Sequence, residues 1–405
     1  MIPRSLPLSG AARDLRMPVA GRWSPRVTSS TFCVHRLDRS WPLTWLARTL
    51  ACVAPLLLVT CAPAPAGQTD LILDAASRRV VIHGVLARLR ATYLYRETAA
   101  AMDQAIRARA RRGEYDRITS ARAFADSLTT HLRAVSRDRH VRVQFSPTAR
   151  SSWPWRRSGT HDSFDSSYAR GRRARFGFGR VDRLAGNVGY VEIRSFGFEP
   201  ELAEAAVAQV MKRLARTDAL IVDLRRNGGG SPRLVTLASS YFLGPDSIHL
   251  ATLQWPRRGR VERVYTRGAV LGGRYGSEKP VYVLTSQSTF SAAESFAYGL
   301  QALGRAVIVG DTTGGGAYVG GMHRVTDHFG VWVSAGRPVN PVTRRNWERV
   351  GVRPDVPVLA EQALTAAHSL ALRTLLEREP DAERRKALER ELIKLPESSA
   401  ATPDR

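Results

Sequence analysis

Two short runs of apolar, β-branched residues constrain the fold of this chain more than any other feature. Ala219 to Leu224 and Val281 to Leu284 each read as a buried strand. Each run passes through a turn of small or polar residues into an apolar-periodic helix. The first turn is Arg225-Arg226-Asn227-Gly228-Gly229-Gly230-Ser231-Pro232, and its helix runs to Leu243; the second spans Thr285 to Thr289, and Ser291 opens the helix Ala292 to Leu303. Ala306 to Val309 adds a third strand. Alternation of this kind from about 219 to 310 predicts an α/β core with buried, largely parallel strands.

The rest of the chain divides around that core. Residues 1–66 carry Arg4, Arg13, Arg16, Arg22, Arg26, Arg36, Arg39 and Arg48 against only Asp14 and Asp38, then an apolar run from Thr49 to Cys61 and a small, proline-rich stretch. A basic segment, a short apolar run and an Ala-x-Ala-like site read as a signal for export to a bacterial periplasm or cell envelope, with Met17 an alternative start. Leu58-Val59-Thr60-Cys61 also resembles a lipoprotein box, so a lipid anchor at Cys61 stands beside plain signal cleavage. Residues 70–145 read as a helical N-terminal module closing on the strand Val141, Val143, Phe145. The Ser-, Arg-, Gly- and Trp-rich tract 146–175 reads as an exposed linker loop. Residues 176–360 hold the core, entered through paired strands Arg180 to Leu184 and Val188 to Ile193, and 361–405 form a helical segment and tail.

Charge and cysteine content remove several classes of function. The net charge of +25 suggests nucleic-acid binding, but only Lys212, Lys279, Lys386 and Lys394 are lysines, and the arginines are scattered along the 405 residues. No RRM, zinc-finger or basic-helix pattern accompanies them, so no nucleic-acid partner is expected. Cys33, Cys52 and Cys61 all fall in the leader, which leaves no disulfide, thiolate metal site or cysteine nucleophile beyond it. No metal or cofactor is expected, and the sequence does not set an oligomeric state.

Ser291 stands where a nucleophile is easiest to support, at the mouth of a helix whose unpaired N–H groups face any developing oxyanion. Ser291-x-x-Glu294 is equally a capping box. The glycine triplet at 228–230 lets backbone N–H groups converge on an anion; phosphate binding lacks the Lys-Ser/Thr of a P-loop, whereas an oxyanion hole fits. No Gly-x-Ser-x-Gly elbow occurs, which disfavours an α/β-hydrolase. Lys279 lies at the far end of the preceding strand, so the base falls to a histidine, with His83, His131, His140, His161, His249, His323, His328 and His368 all open.

Four motifs in order then carry a resemblance. They are Asp223-Leu224-Arg225-x-Asn227-Gly228-Gly229-Gly230, Thr289-Phe290-Ser291-Ala292-Ala293-Glu294, Gly310-x-Thr312-Thr313-Gly314-Gly315-Gly316, and Asn346-Trp347-Glu348-x-Val350-Gly351-Val352-x-Pro354-Asp355. The series resembles the tail-specific (C-terminal processing) serine peptidases, in the branch of the tricorn core protease and interphotoreceptor retinoid-binding protein. The resemblance covers roughly residues 75–360 and includes Asp138-x-His140-Val141-Arg142-Val143. It implies a crotonase/Clp-protease-like ββα spiral core with a helical N-terminal module. The gap from His140 to Asn187 is too short for a PDZ domain. It further implies Ser291 as nucleophile, His140 as base, Glu348 as the carboxylate orienting the imidazole, and backbone donors at Ala292 and at Gly228 or Gly229. The lysine of the Ser–Lys type is missing from the Gly314–Gly316 segment, and Arg139 stands where tricorn-like enzymes carry a serine. The expected partner is a polypeptide substrate cleaved through an acyl-enzyme; a non-catalytic module for a hydrophobic ligand or peptide is the alternative on the same fold.

Overall fold

The computed structural model describes residues 70–150 and 164–396. The leader expected over 1–66 with Cys61, the stretch 151–163 with His161, and the last nine residues lie outside the described residues. In chain order come α1 (Ala75–Thr92), α2 (Arg96–Arg111), α3 (Ala121–Ser136), β1 (Arg142–Phe145), α4 (Phe164–Arg173), β2 (Phe178–Leu184), β3 (Val188–Ile193), α5 (Pro200–Leu214), β4 (Ala219–Asp223) and α6 (Pro232–Ser240). Then follow β5 (His249–Trp255), β6 (Arg260–Tyr265), β7 (Val281–Thr285), α7 (Ala292–Ala302), β8 (Val307–Gly310), β9 (Val319–Arg324), β10 (Phe329–Val339), β11 (Val356–Pro357), α8 (Ala363–Arg378) and α9 (Ala382–Lys394).

Six strands make the central sheet in the order β11-β8-β7-β4-β3-β2. Every neighbouring pair in it is parallel except the β2–β3 hairpin. Strands β3, β4 and β7 are buried along their whole length because both faces are covered. Leu220, Val222, Val281 and Val283 point into one layer with residues of α5, α6 and α7. Ile221, Tyr282 and Leu284 point the other way, under α8 and Leu388 of α9. Pro380 separates those last two helices, and Asp381 caps the second by accepting from the Arg384 N–H at 2.8 Å.

A second sheet, all antiparallel, runs β1-β10-β5-β6 with β9 also on β10. The helical module does not close on itself. Its buried side chains, among them Leu86, Met102, Phe124 and Leu128, form one cluster with Phe329, Val331 and Val333 of β10. Helix α3 also seals the outer edge of β1. Arg133 Nε donates to the Val141 carbonyl at 2.7 Å, and the Val143 N–H donates to Thr129 Oγ1 at 2.8 Å.

The structure departs from the sequence reading at α4, at β5–β6 and at β9. Residues 164–173 are helical where an exposed loop was expected: Ser167 is buried, and Tyr168 packs against Phe176 with ring centroids 5.4 Å apart. The hairpin β5–β6 and strand β9 were not foreseen. Along β5 every residue is half-buried, so no alternation marks it, and β9 begins Val-Gly-Gly. Among the described residues no helix is long and apolar enough to cross a membrane.

Phe124 of α3 is wholly buried against Tyr115 and Phe329, and so joins the helices to β10. Phe124→Ala is expected to cost about 3–5 kcal/mol in urea unfolding. The whole transition should move; early melting of the helices alone would show that the module folds separately.

Candidate active site

Two strand-to-helix turns lie side by side and are laced together by their small polar residues. The Phe290 N–H donates to the Asn227 carbonyl at 3.0 Å, Thr289 Oγ1 to the Leu224 carbonyl at 2.9 Å, and Ser286 Oγ to the Arg225 carbonyl at 2.6 Å. Asn227 is fully buried and donates through Nδ2 to the Ile193 carbonyl at 3.0 Å. Gly229 has φ 106°, and a Cβ there would sit 2.9 Å from the Cβ of Ser291 and 3.0 Å from the Ala292 nitrogen. Only glycine allows the turns to approach so closely.

Ser291 is not an ordinary helix cap. An N-cap serine is normally extended, whereas Ser291 has φ 57° and ψ −117°, a strained conformation for a residue with a side chain. Its N–H donates to Glu294 Oε2 at 2.7 Å, and its Oγ lies 2.9 Å from His140 Nε2. The glutamate of the capping box therefore holds the strained turn, and the hydroxyl faces the imidazole.

Glu294 is wholly buried and also accepts from Thr313 Oγ1 at 2.5 Å and from the N–H groups of Gly315 at 2.7 Å and Gly316 at 2.9 Å. Burial raises its pKa, and these donors work against that rise. The bonds bring the third motif to the second. The fourth motif clamps the same loop from outside: Trp347 Nε1 donates to the Gly316 carbonyl at 3.0 Å, and the Arg349 N–H to the Gly315 carbonyl at 2.9 Å. A Cβ on Gly316 would meet the Phe290 ring at 2.2 Å and His140 Cε1 at 2.9 Å. The space a side chain would need at this point of the glycine loop is filled by the histidine itself.

Of the candidate histidines within the described residues, the structure brings His140 alone to Ser291. His83 is exposed, His131 bonds Tyr115, His249 sits beside Thr252, and His328 and His368 bond the carbonyls of Ser146 and Ala185. His323 is half-buried in β9. The lysines are committed elsewhere: Lys279 Nζ donates to the Ala215 carbonyl, Lys386 and Lys394 pair with Glu383 and Glu391, and Lys212 is exposed on α5. The imidazole is sandwiched between Phe290, at 4.6 Å, and Trp332, at 6.3 Å between ring centroids. Arg139 lies over the outer face of that Phe ring and Arg142 over Trp332. Burial lowers the His140 pKa, and Arg142, Arg133 and Arg139 push the same way against Asp138, so the ring is neutral at pH 7.

The carboxylate expected to orient this ring does not reach it. Glu348 makes no hydrogen bond to His140; its Oε2 accepts from the Ala317 and Tyr318 N–H groups at 2.7 and 3.2 Å, and Oε1 is buried without a partner. The acid nearest Nδ1 is Asp138, with Oδ1 at 3.8 Å. Asp138 is completely buried, accepts the His140 N–H at 2.8 Å and the Tyr93 hydroxyl at 3.3 Å, and so is anchored from α1 as well. Nδ1 itself has no hydrogen-bond partner. Sequence reasoning had Asp138 inside a quoted motif and gave it no role; its place two residues before the histidine was the available signal. Gly229 also differs from expectation, because its N–H donates to Asn227 Oδ1 at 2.9 Å and is not free for a ligand. Gly228, by contrast, faces open space.

Beside Ser291 opens a cavity of about 70 Å³, lined by Val235, Leu250, Leu253, Val264, Ala292 and Trp347. Burial and the nearby charge of Asp138 push the pKa of Glu348 up to about 7. A carboxyl whose folded pKa exceeds its unfolded value favours folding below the unfolded value and loses that contribution as pH rises through 7. Glu348→Gln should therefore flatten the pH dependence of unfolding between pH 4.5 and 7.5 by about 2 kcal/mol. Equal slopes for the two proteins in urea titrations across that range would refute the buried-charge account.

The peptidase family S41 profile matches residues 187–358, and that for the N-terminal domain of Peptidase_S41 in eukaryotic IRBP matches residues 72–162. A carboxyl-terminal-processing protease of Synechocystis sp. is 28% identical over 175 residues, which is 42% of this chain and 37% of that protein. One from Picosynechococcus sp. is 27% identical over 187 residues, 45% of this chain and 42% of that protein. The matched stretch thus spans well under half the length of these curated relatives. A solved structure from Parabacteroides merdae has the same fold, with a TM-score of 0.50 and 21% identity, covering 73% of this chain and 96% of that one. On the matched motifs, the two profiles and the shared α/β fold, the chain belongs to peptidase family S41.

Proposed function

We propose that the chain is an exported serine peptidase that cleaves polypeptides through an acyl-enzyme, as its relatives named carboxyl-terminal-processing proteases suggest. The observation that carries the reading is the 2.9 Å approach of Ser291 Oγ to a buried, neutral imidazole. With its proton on Nδ1, His140 takes the hydroxyl proton at Nε2 as Oγ attacks the substrate carbonyl carbon. The same proton then passes to the leaving amine, and water repeats the sequence to release the acyl group. Developing negative charge on the carbonyl oxygen falls to the Ala292 N–H, at the positive end of α7, and to the Gly228 N–H. The imidazolium formed in this step needs a carboxylate on its far side. Asp138 supplies it in this reading, by a small closure of its 3.8 Å approach to Nδ1. Glu348 instead holds the Ala317–Tyr318 backbone beside the site. The apolar cavity next to Ser291 suits an apolar substrate side chain, and would equally serve the non-catalytic alternative. The basic, then apolar, leader pattern supports a site of action outside the cytoplasm.

Ser291→Ala is expected to lower cleavage of an unstructured polypeptide by at least about 10³-fold, and an active-site serine probe should label the parent protein and not the variant. Asp138→Asn should lower kcat by about 10²–10⁴-fold with KM little changed, and Glu348→Gln by much less. Cleavage unaffected by Ser291→Ala would remove the peptidase reading. A Glu348 effect as large as that of Asp138 would return the orienting role to Glu348.

A further inference from the structure

β2 is the last strand of the central sheet, and no strand pairs with its outer edge among the described residues. Along it, between α4, α5 and the Arg194–Phe198 segment, runs an open groove of about 1430 Å³. Six exposed arginines line it, Arg172, Arg173, Arg175, Arg180, Arg194 and Arg213, and among the described residues no acidic one does. Arg180 pairs with Asp182 and Arg194 with Glu192, but Arg172, Arg173, Arg175 and Arg213 have no ion-pair partner among the described residues. Arg213 also feels the charge of Asp182, which leaves Arg172, Arg173 and Arg175 as a cluster of like charge around one concavity that favours an anionic occupant.

Shape and lining decide what kind of anion fits. Ala205 and Ala206 keep the floor shallow beside α5, and the outer edge of β2, which no described strand pairs, can take an extended chain, although the N–H groups of Arg180 and Arg183 already donate to the side chains of Glu192 and Asp182. Phe176 is engaged by Tyr168 at 5.4 Å and Phe198 at 5.7 Å, so it presents no open ring face on which a base would stack. A concave channel also fits a linear segment better than a flat lipid surface. The groove adjoins the catalytic turn through Phe196, whose N–H donates to the Gly229 carbonyl at 2.9 Å and whose carbonyl accepts from the Ser231 N–H at 2.7 Å.

We infer that this groove docks an extended, acidic segment of polypeptide. The segment belongs to a substrate if the peptidase reading holds; the docking itself needs no turnover. The test uses the full chain carrying Ser291→Ala and a fluorescein-labelled peptide of alternating glutamate and small residues, followed by fluorescence anisotropy. The expected result is saturable binding that weakens as salt rises and falls by about tenfold or more with Arg172→Glu plus Arg213→Glu. Milder Arg172→Gln and Arg213→Gln variants, with an unchanged melting temperature, separate this loss from misfolding. Equal binding of a glutamine-for-glutamate peptide, indifference to both sets of variants, or tighter binding to single-stranded DNA or phosphatidylglycerol vesicles would overturn the inference. Because binding is read without cleavage, loss of docking and loss of peptidase activity remain separate results.

Discussion

The site depends on one buried carboxylate. Glu294 sits inside the protein at the first turn of α7 and accepts four hydrogen bonds, from the Ser291 N–H, the Thr313 hydroxyl and the N–H groups of Gly315 and Gly316. A buried carboxylate with fewer donors would carry a large desolvation cost, so all four partners are needed where they are. The consequence is geometric. The strained Ser291 turn and the glycine loop, some twenty residues apart in sequence, are fixed to the same two oxygen atoms. The loop in turn fixes the space available to His140, since Gly316 lies against both the imidazole and Phe290.

The histidine arrives from the other side of the molecule, and its position is a packing result. β1 starts two residues after His140, and is held by β10 on one edge and by Arg133 and Thr129 of α3 on the other. α1 contributes Tyr93 to Asp138, and Asp138 holds the His140 backbone. The large cluster shared by α1, α2, α3 and β10 therefore positions His140, as the central sheet positions Ser291. Neither half presents a site alone. This explains why the helical module is not an appended domain although its sequence reads as a separate unit.

Periodicity and turn chemistry made the central sheet legible. β3, β4, β7 and β8 are short, mostly apolar runs, and α5, α6 and α7 follow their expected limits closely. What stayed hidden did so for physical reasons. Strand β5 is half-buried throughout, so it has no inside and outside to alternate between, and α4 is built from Ser, Arg and Gly that its few packed residues must overcome. Ser291 and His140 were legible by motif, but their 2.9 Å contact spans 151 positions and rests on two separate cores. Asp138 and Glu348 mark the limit of reading by pattern. Both are acids in the quoted motifs, and only the folded chain shows that Glu348 Oε2 accepts from the Ala317 and Tyr318 N–H groups while Asp138 lies beside the His140 ring.

The arginine excess takes on a local meaning at the site. Arg139 and Arg142 extend the aromatic sandwich outward on either side of His140, and Arg349 closes the fourth motif by donating to the Ser136 carbonyl at 2.9 Å. Each guanidinium spends its hydrogen bonds on backbone carbonyls or ring faces and leaves Asp138 to Tyr93 and the His140 backbone. Burial and the positive charges of Arg142, Arg133 and Arg139 disfavour the imidazolium, and Asp138 opposes them without reversing the shift. A lysine in the glycine loop could not coexist with this arrangement. Its side chain would start inside the volume that Phe290 and His140 occupy, so the choice of histidine over lysine is already made by packing at Gly316.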